Sequence, residues 1–596
     1  MAGSEENRMK RSKGYPQPLG ASYRGTVLNL AVCAPKGTAC ELLLYRKGEA
    51  QIARILEMPE EDGIGEVRCL GLSEWKEEDY EYNYRINGTV VLDPAVREIA
   101  GHREFGTAWN VADHKVRGRF PEREYDWEDD RHPQIPYHEV IAYSLHVRGF
   151  TMHPSSRVRQ RGTFRGVIEK LPYLKHLGIN QIQCMPVYEF QEDMGNYQNY
   201  WGYGSGFYFA PKAAYAAGDS VQREFRDMVK ACHQKGIEVV LEMPFTSEIL
   251  PQTALECLRF YLLEYHVDGF VVNPYNVPWE SLKADPILKG AKVMKKEERF
   301  QNHMRRFLKG DEGMVRTVIP EILHQTSEDD CCNYVTSHTG FTLCDLVSYD
   351  GKHNEANGER NQDGPDYNYS WNCGIEGPSR KRSVTALRKN QMRNAFLLLL
   401  LSQGTPCILA GDEFGNTQDG NNNVYCQDNE TAWLNWNRQK GYADFWQFVR
   451  ALIALRKEKP VFHQEQPLSG LDRTACGIPD VSYHGESAWQ IPDAVVSRQL
   501  GVLYAWEHHF WFVAYNMHWE EHDFALPALP KGEKWYVIAG TEEIPEYPEE
   551  LESFKKVRVK ARHIVVLEAR EKEGRKEEKR CGHSNIFAPL PDTNCL

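Results

Sequence analysis

The sequence predicts an α/β protein: a (β/α)8 barrel, or TIM barrel, flanked by an N-terminal β-sandwich and a C-terminal antiparallel β domain. Two observations carry this prediction. From about residue 136, short apolar runs alternate with helical patterns, which is typical of βα units around a parallel sheet. Before and after that region, apolar and polar residues alternate with a period of two between Gly, Pro and Asn clusters. The length of 596 residues allows two to four domains.

The N-terminal β domain is expected over residues 18–115. Residues 27–33, 40–45 and 80–86 each alternate apolar and polar side chains, as strands with one buried face do. Residues 1–17 are polar and basic without an apolar core, so we expect a disordered leader and no signal peptide. A cytoplasmic location is therefore the default expectation.

The barrel is expected over residues 136–458. Its predicted strands are 140–148, 181–187, 238–243, 268–273, 291–295 and 333–337, with a further strand near 299–307 and one at 406–411. Together they give roughly eight repeats. In this fold the carboxyl ends of the strands carry the chemistry, so the residues at those ends are the first candidates for a functional site.

The C-terminal β domain is expected over residues 470–568. Alternation returns at 501–506, 510–516, 535–539 and 557–568. Residues 569–596 are rich in Lys, Glu and Pro, which predicts a disordered tail.

Composition excludes several classes of partner. A net charge of −13 disfavours binding to nucleic acid or to an anionic membrane, and no apolar run approaches the length of a membrane span. The 15 cysteines include no C-x-x-C pair, and no His/Asp/Glu cluster has the spacing of metal ligands. We therefore expect no cofactor and no metal.

Several motifs point to one family. The segments His146-Val-Arg-Gly-Phe-Thr, Asn199-Tyr-Trp-Gly-Tyr, Ala410-Gly-Asp-Glu-Phe-Gly and Gly420-Asn-Asn-Asn follow one another in the order found in isoamylases and glycogen debranching enzymes. The chain thus resembles the isoamylase, glycogen-debranching and pullulanase-type branch of the α-amylase superfamily, glycoside hydrolase family 13. The resemblance implies a retaining glycosidase acting on α-glucan, with a carbohydrate-binding-type module at the N-terminus.

The catalytic positions of that family are altered here. Retaining hydrolysis needs one carboxyl group as nucleophile and another as acid/base. The segment His266-Val-Asp-Gly-Phe-Val-Val-Asn resembles the nucleophile strand but ends in Asn273, and Lys296 occupies the acid/base position. Thr339 replaces a third aspartate in a Val-Thr-Ser-His-Thr-Gly segment. Loss of all three carboxylates predicts that glycosidase chemistry is absent.

Three hypotheses follow. The first is a non-hydrolytic pseudoenzyme of glycogen or starch metabolism that binds α-glucan, an active debranching-enzyme homologue, or both. Its predicted glucan-binding residues are Tyr200, Trp201, Tyr203, His338, Asp412, Asn421 and Asn422. The alternative is an active α-1,6-glucosidase or related hydrolase that uses other carboxylates. The candidates are Glu242, Glu297, Glu321 and Asp345. A third possibility is a new reaction that uses Lys296 and His338.

Overall fold

A computed structural model describes residues 9–571 of the chain. Its N-terminal part is a two-sheet domain whose core includes Leu28, Leu30, Leu42, Leu44 and Tyr82. One sheet has the order Lys10–Ser12, Val67–Ser73, Val27–Cys33 and Gly20–Arg24. The other has the order Ile52–Glu57, Cys40–Arg46, Tyr80–Ile86, Arg117–Arg119 and Glu98–Ala100, with Thr89–Val91 paired to Tyr80–Ile86.

The predicted leader is partly ordered. Residues 10–12 form an edge strand against Val67–Ser73, so the sandwich begins before residue 18. Leader residues 1–8 lie outside the described part of the chain.

The central unit is a curled parallel sheet. Its strands are β1 (Ala142–Leu145), β2 (Gln181–Cys184), β3 (Glu238–Met243), β4 (Gly269–Val272), β5 (Lys292–Lys295) and β6 (Cys407–Leu409), in the order β5-β4-β3-β2-β1-β6. A short extended segment closes the ring, because Cys331 pairs with Lys295 and Asn333 pairs with Pro406. The predicted barrel with its two flanking β domains is confirmed.

The strand predicted near 299–307 is wrong, since those residues form the helix Arg299–Lys309. Phe300, Met304, Phe307 and Leu308 are buried at the i, i+4, i+7 and i+8 positions of one helical face. Gly310 then ends the helix in a left-handed conformation. In the barrel wall, the extended segment at 331–333 is therefore the neighbour of β5. Along the chain, the residues between them form helices.

Helices cover the outside of the sheet. Thr163 and Ser220 cap two of them through side-chain oxygens that accept backbone N–H bonds. The helices of six or more residues are Val147–Met152, Phe164–Leu177, Val221–Gln234, Pro251–Tyr265, Trp279–Ala284, Arg299–Lys309, Met314–Leu323, Arg382–Leu400 and Ala443–Glu458. Shorter helices are Thr326–Asp329 and Leu343–Leu346, and an antiparallel pair of strands, Tyr188–Phe190 and Gly206–Pro211, projects beyond β2.

The C-terminal domain packs a six-stranded antiparallel sheet against a two-stranded one. Phe512, Phe524 and Trp535 lie in the core between them. The larger sheet has the order Val481–His484, Gln499–Trp506, His509–Asn516, His563–Glu571, Glu533–Gly540 and Glu549–Glu550, and the smaller one pairs His522–Ala525 with Lys556–Val559. The final strand extends into the predicted tail as far as Glu571; the remaining tail lies outside the described residues.

Candidate functional site

The carboxyl ends of the barrel strands surround a small cavity of about 40 Å³. A water molecule needs roughly 10–15 Å³ by this measure, so the cavity has room for a few waters and is too small for a glucosyl ring. Its walls are partly apolar because Val271 and Met294 are buried at the ends of β4 and β5. The other lining residues are Ser144, Gln183, Glu242, Lys295, Lys296, Cys332, Tyr334, Thr336, Ser337, His338 and Cys407.

Lys296 projects into this cavity from the end of β5. Its Nζ lies 3.6 Å from Oε1 of Glu242 and 3.3 Å from Nε2 of His338. The Tyr203 hydroxyl donates to Oε1 of Glu242 at 2.6 Å and also contacts Nε2 of His338. An ammonium, a carboxylate, an imidazole and a phenol thus form one hydrogen-bonded cluster, which we call the Lys296 cluster.

Charge states within the Lys296 cluster follow from burial and proximity. Burial opposes ionisation of Glu242, but its neighbours, led by the Lys296 ammonium, together outweigh burial and hold the carboxyl pKa below its usual value. Burial and the same ammonium lower the pKa of His338 to about 3. At neutral pH, Glu242 is therefore a carboxylate paired with an ammonium, and His338 is neutral.

Asn273 and Thr339 do not line the cavity. Asn273 is exposed, and its Oδ1 accepts a hydrogen bond from the backbone N–H of Tyr275 at 3.0 Å, which caps the turn after β4. The Thr339 hydroxyl bonds instead to Ser337 at 3.1 Å. Of the three residues predicted to replace catalytic carboxylates, the structure brings only Lys296 into the cavity.

The predicted aromatic binding residues are mostly buried. Tyr200 is 2% exposed and stacks on His146, and Trp201 is 5% exposed with its ring edge-on to His338. Only Tyr203 is half-buried. In this conformation, neither Tyr200 nor Trp201 offers a free ring face to a sugar, so their role in glucan binding stays a prediction.

Asp412, Asn421 and Asn422 are also buried, and they hold loops together. Asp412 accepts bonds from the Thr336 hydroxyl and the Leu343 N–H, and burial raises its pKa to about 7. The Asn421 amide donates to the Asn357 side chain, and that of Asn422 donates to a backbone carbonyl at 2.8 Å. Their assignment to glucan binding likewise stays a prediction.

The other candidate carboxylates lie away from the cavity. Glu297 pairs with Lys295, while Glu321 accepts a hydrogen bond from His303. Asp345, buried in the helix Leu343–Leu346, accepts a bond from the Gln418 N–H. Among the described residues, the only carboxylate that lines the cavity is therefore Glu242.

Some polar residues that line the cavity lie within strands and were not predicted from the strand ends. Ser144 lies within β1, Gln183 within β2 and Cys407 at the start of β6, all facing the cavity. The sequence pattern that could have identified them is a polar residue within an otherwise apolar strand.

A parallel barrel with polar residues at the carboxyl ends of its strands defines a TIM-barrel protein, a class in which catalytic and binding sites lie at that end. Residues 128–247 match the family described as "Alpha amylase, catalytic domain". Isoamylase 1 of Arabidopsis thaliana is 30% identical over an alignment that covers 76% of each chain. The glycogen operon protein GlgX homolog of Mycobacterium tuberculosis is also 30% identical, over 77% of this chain and 80% of that protein. The chain therefore belongs to the isoamylase and glycogen-debranching branch of the α-amylase superfamily.

Solved structures agree on the fold. The pullulanase of Bacillus acidopullulyticus superposes with a TM-score of 0.71 at 19% identity, covering 92% of this chain and 75% of that one. The glycogen-degrading pneumococcal virulence factor SpuA superposes with a TM-score of 0.74 at 17% identity, covering 93% and 71% of the two chains.

Proposed function

We propose that this chain is a non-hydrolytic member of its family that binds α-glucan, a catalytic debranching-enzyme homologue, or both. The observation that carries the proposal is the Lys296 cluster. A lysine occupies the family's acid/base position, and its ammonium pairs with the one described carboxylate in the cavity, Glu242.

The proposed location is cytoplasmic. Within the described residues, no helix is long and apolar enough to cross a bilayer.

The chemistry of retaining hydrolysis supports this proposal. That mechanism needs two carboxyl groups about 5–5.5 Å apart, one to attack the sugar and one to protonate the leaving oxygen. Glu242 could supply one at most, and its lowered pKa makes it a poor proton donor at neutral pH. Asn273 offers a neutral amide in place of the nucleophile.

The glucan part of the proposal rests on the relatives. Their names describe isoamylases and glycogen debranching enzymes, and solved pullulanase neighbours contain maltose or maltohexaose. Because the central cavity is too small for a sugar ring, we propose that α-glucan contacts the exposed mouth of the barrel. Tyr275, 94% exposed just beyond β4, is the aromatic side chain we propose for it.

Incubation of the purified protein with glycogen is expected to release no reducing ends above the buffer control. The reason is that the cavity lacks a second carboxylate among the described residues. An active family member serves as the positive control. Turnover that disappears in Glu242→Gln would overturn the proposal and favour the alternative of an active hydrolase.

The variant Tyr275→Ala is expected to weaken retardation on a glycogen-containing gel about three- to tenfold, as loss of one aromatic contact would. Tyr547→Ala is the matched control, because Tyr547 is 74% exposed in the C-terminal domain. Equal retardation of both variants would exclude Tyr275 as a contact. No retardation of the parent protein would leave only the partner role.

A further inference from the structure

A cluster of histidines and carboxylates lies at the opposite end of the barrel, away from the Lys296 cluster. His132 belongs to the segment before β1, His233 to the helix Val221–Gln234, and Asp268 immediately precedes β4. The His132 Nδ1 lies 2.9 Å from Oδ1 of Asp268, and the His233 Nε2 lies 3.0 Å from Oδ2. Two imidazoles from distant parts of the sequence therefore converge on one carboxylate.

A second carboxylate orients this arrangement. Asp130 Oδ1 lies 2.9 Å from Nδ1 of His233, which directs the other ring nitrogen toward Asp268. The second Asp130 oxygen accepts from Nδ1 of His266 at 2.8 Å, and that ring stacks on Trp127. A histidine whose remote nitrogen is held by a carboxylate is the usual supporting arrangement for a metal-bound imidazole.

The charge balance also favours a cation. The side chains of Asp130 and Asp268 are 1% and 4% exposed, and each contacts His233. Two buried carboxylates need positive charge close by. It can come from a proton on His233 or from a metal ion bound at its Nε2.

The distances suit a metal ion. One ligand atom from each of His132, His233 and Asp268 lies within 4.8 Å of the others. Tetrahedral zinc with bonds of about 2.1 Å needs ligand atoms about 3.4 Å apart, so small side-chain rotations close the site. We propose that these three residues bind a divalent transition-metal ion, with zinc as the favoured metal.

Ligand chemistry selects the class of metal. Imidazole suits zinc, nickel and copper, whereas calcium and magnesium prefer sites made of oxygen atoms. The site also adjoins a cleft of about 690 Å³ lined by His132 and Asp268. Because the His132 side chain is 35% exposed toward solvent, a water molecule can complete the coordination.

A second His/Glu group does not offer the same opportunity. His102, Glu189 and Glu192 also lie close together and are buried. The Lys212 ammonium already contacts both of these carboxylates and the Phe190 carbonyl. A fixed cation thus neutralises that group, whereas among the described residues no lysine or arginine side chain contacts Asp268.

Titration of the chelator-treated protein with Co²⁺ tests the proposal. We expect one ion per chain, with visible d–d absorption of a nitrogen and oxygen site and without the sulfur-to-metal charge-transfer band that the cysteines would produce. His132→Asn should weaken Co²⁺ and Zn²⁺ affinity at least tenfold. The thermal midpoint of the parent should rise with Zn²⁺, and that of the variant should rise less.

The matched control is His508→Asn, which alters an exposed histidine in a hairpin of the C-terminal domain. Its affinity should equal that of the parent. Because an asparagine amide can still donate to Asp268, His132→Asn should fold, and the metal-free thermal midpoint checks this. Absence of Co²⁺ binding by the parent, unchanged affinity in a folded His132→Asn, or a charge-transfer band would each overturn the proposal.

Discussion

Lys212→Met is expected to lower the free energy of unfolding by about 3–5 kcal/mol, the typical effect of removing one partner from a buried ionic group. Lys212, Glu189, Glu192 and His102 are all fully buried near the junction of the barrel and the N-terminal domain. Without the ammonium, two carboxylates face a single imidazolium. Urea unfolding followed by tryptophan fluorescence measures the loss.

The matched control is Lys10→Met. Lys10 forms an ion pair with Glu74, but both side chains are more than half exposed, so we expect no measurable change. If the Lys212 variant were as stable as this control, the buried group would be neutral in the folded protein and the charge assignment would be wrong.

The pH dependence of this buried group can be stated with its sign. Burial opposes the charge on His102, but its bonds to Glu189 and Glu192 outweigh burial and raise its pKa to about 9. The stabilisation of the folded state by protonated His102 is complete below about pH 6.5 and is lost as the pH rises through 9. Lys212 and His102 hold the Glu189 pKa below its usual value despite burial. The stabilisation of the folded state by the Glu189 carboxylate is therefore lost in acid. The group should therefore stabilise the parent most between about pH 4.5 and 6.5.

Lys296→Met is expected to lower the free energy of unfolding by about 1–3 kcal/mol at pH 7, because it leaves the Glu242 carboxylate buried without its ammonium. The Glu242 pKa is lowered in the folded parent, so the ion pair stabilises above the unfolded value of about 4.3 and is lost as the pH falls through the folded value. The difference between parent and variant should shrink in acid. Denaturant titrations at several pH values measure it.

A double-variant cycle provides the control. The free energy of unfolding of the double variant Glu242→Gln/Lys296→Met should be closer to that of the parent than that of either single variant is, since neither charge is then left without its partner. Additive losses would show that the two groups do not interact. Neither single variant is expected to gain hydrolysis of glycogen.

Much of the fold was predictable because its elements carry local signals. The strand predicted at 268–273 was confirmed as Gly269–Val272, because a continuous apolar run buries both faces of a parallel strand. The prediction of a strand near 299–307 failed because that strand was counted toward eight barrel repeats, whereas the buried residues there have helical spacing. Ring closure through Cys331 and Asn333 leaves no place for that strand in the described barrel.

Prediction of the site was more limited. The position of Lys296 at the end of β5 follows from counting along a strand, and the structure places it in the cavity. Burial of Tyr200 and Trp201 could not be inferred, because an aromatic residue after a strand packs inward or faces solvent according to the loops that cover it. Here His146 and His338 contact those rings.

The sequence alone predicted the family and assigned Asn273, Lys296 and Thr339 to its three carboxylate positions, because residue identity at an aligned strand end needs no coordinates. Only the tertiary structure decided that Lys296 pairs with Glu242. It alone joined His132 to Asp268, 136 residues apart. The physical reason is that ion pairs and metal ligands act over a few ångströms, and the closed sheet decides which distant residues come that close.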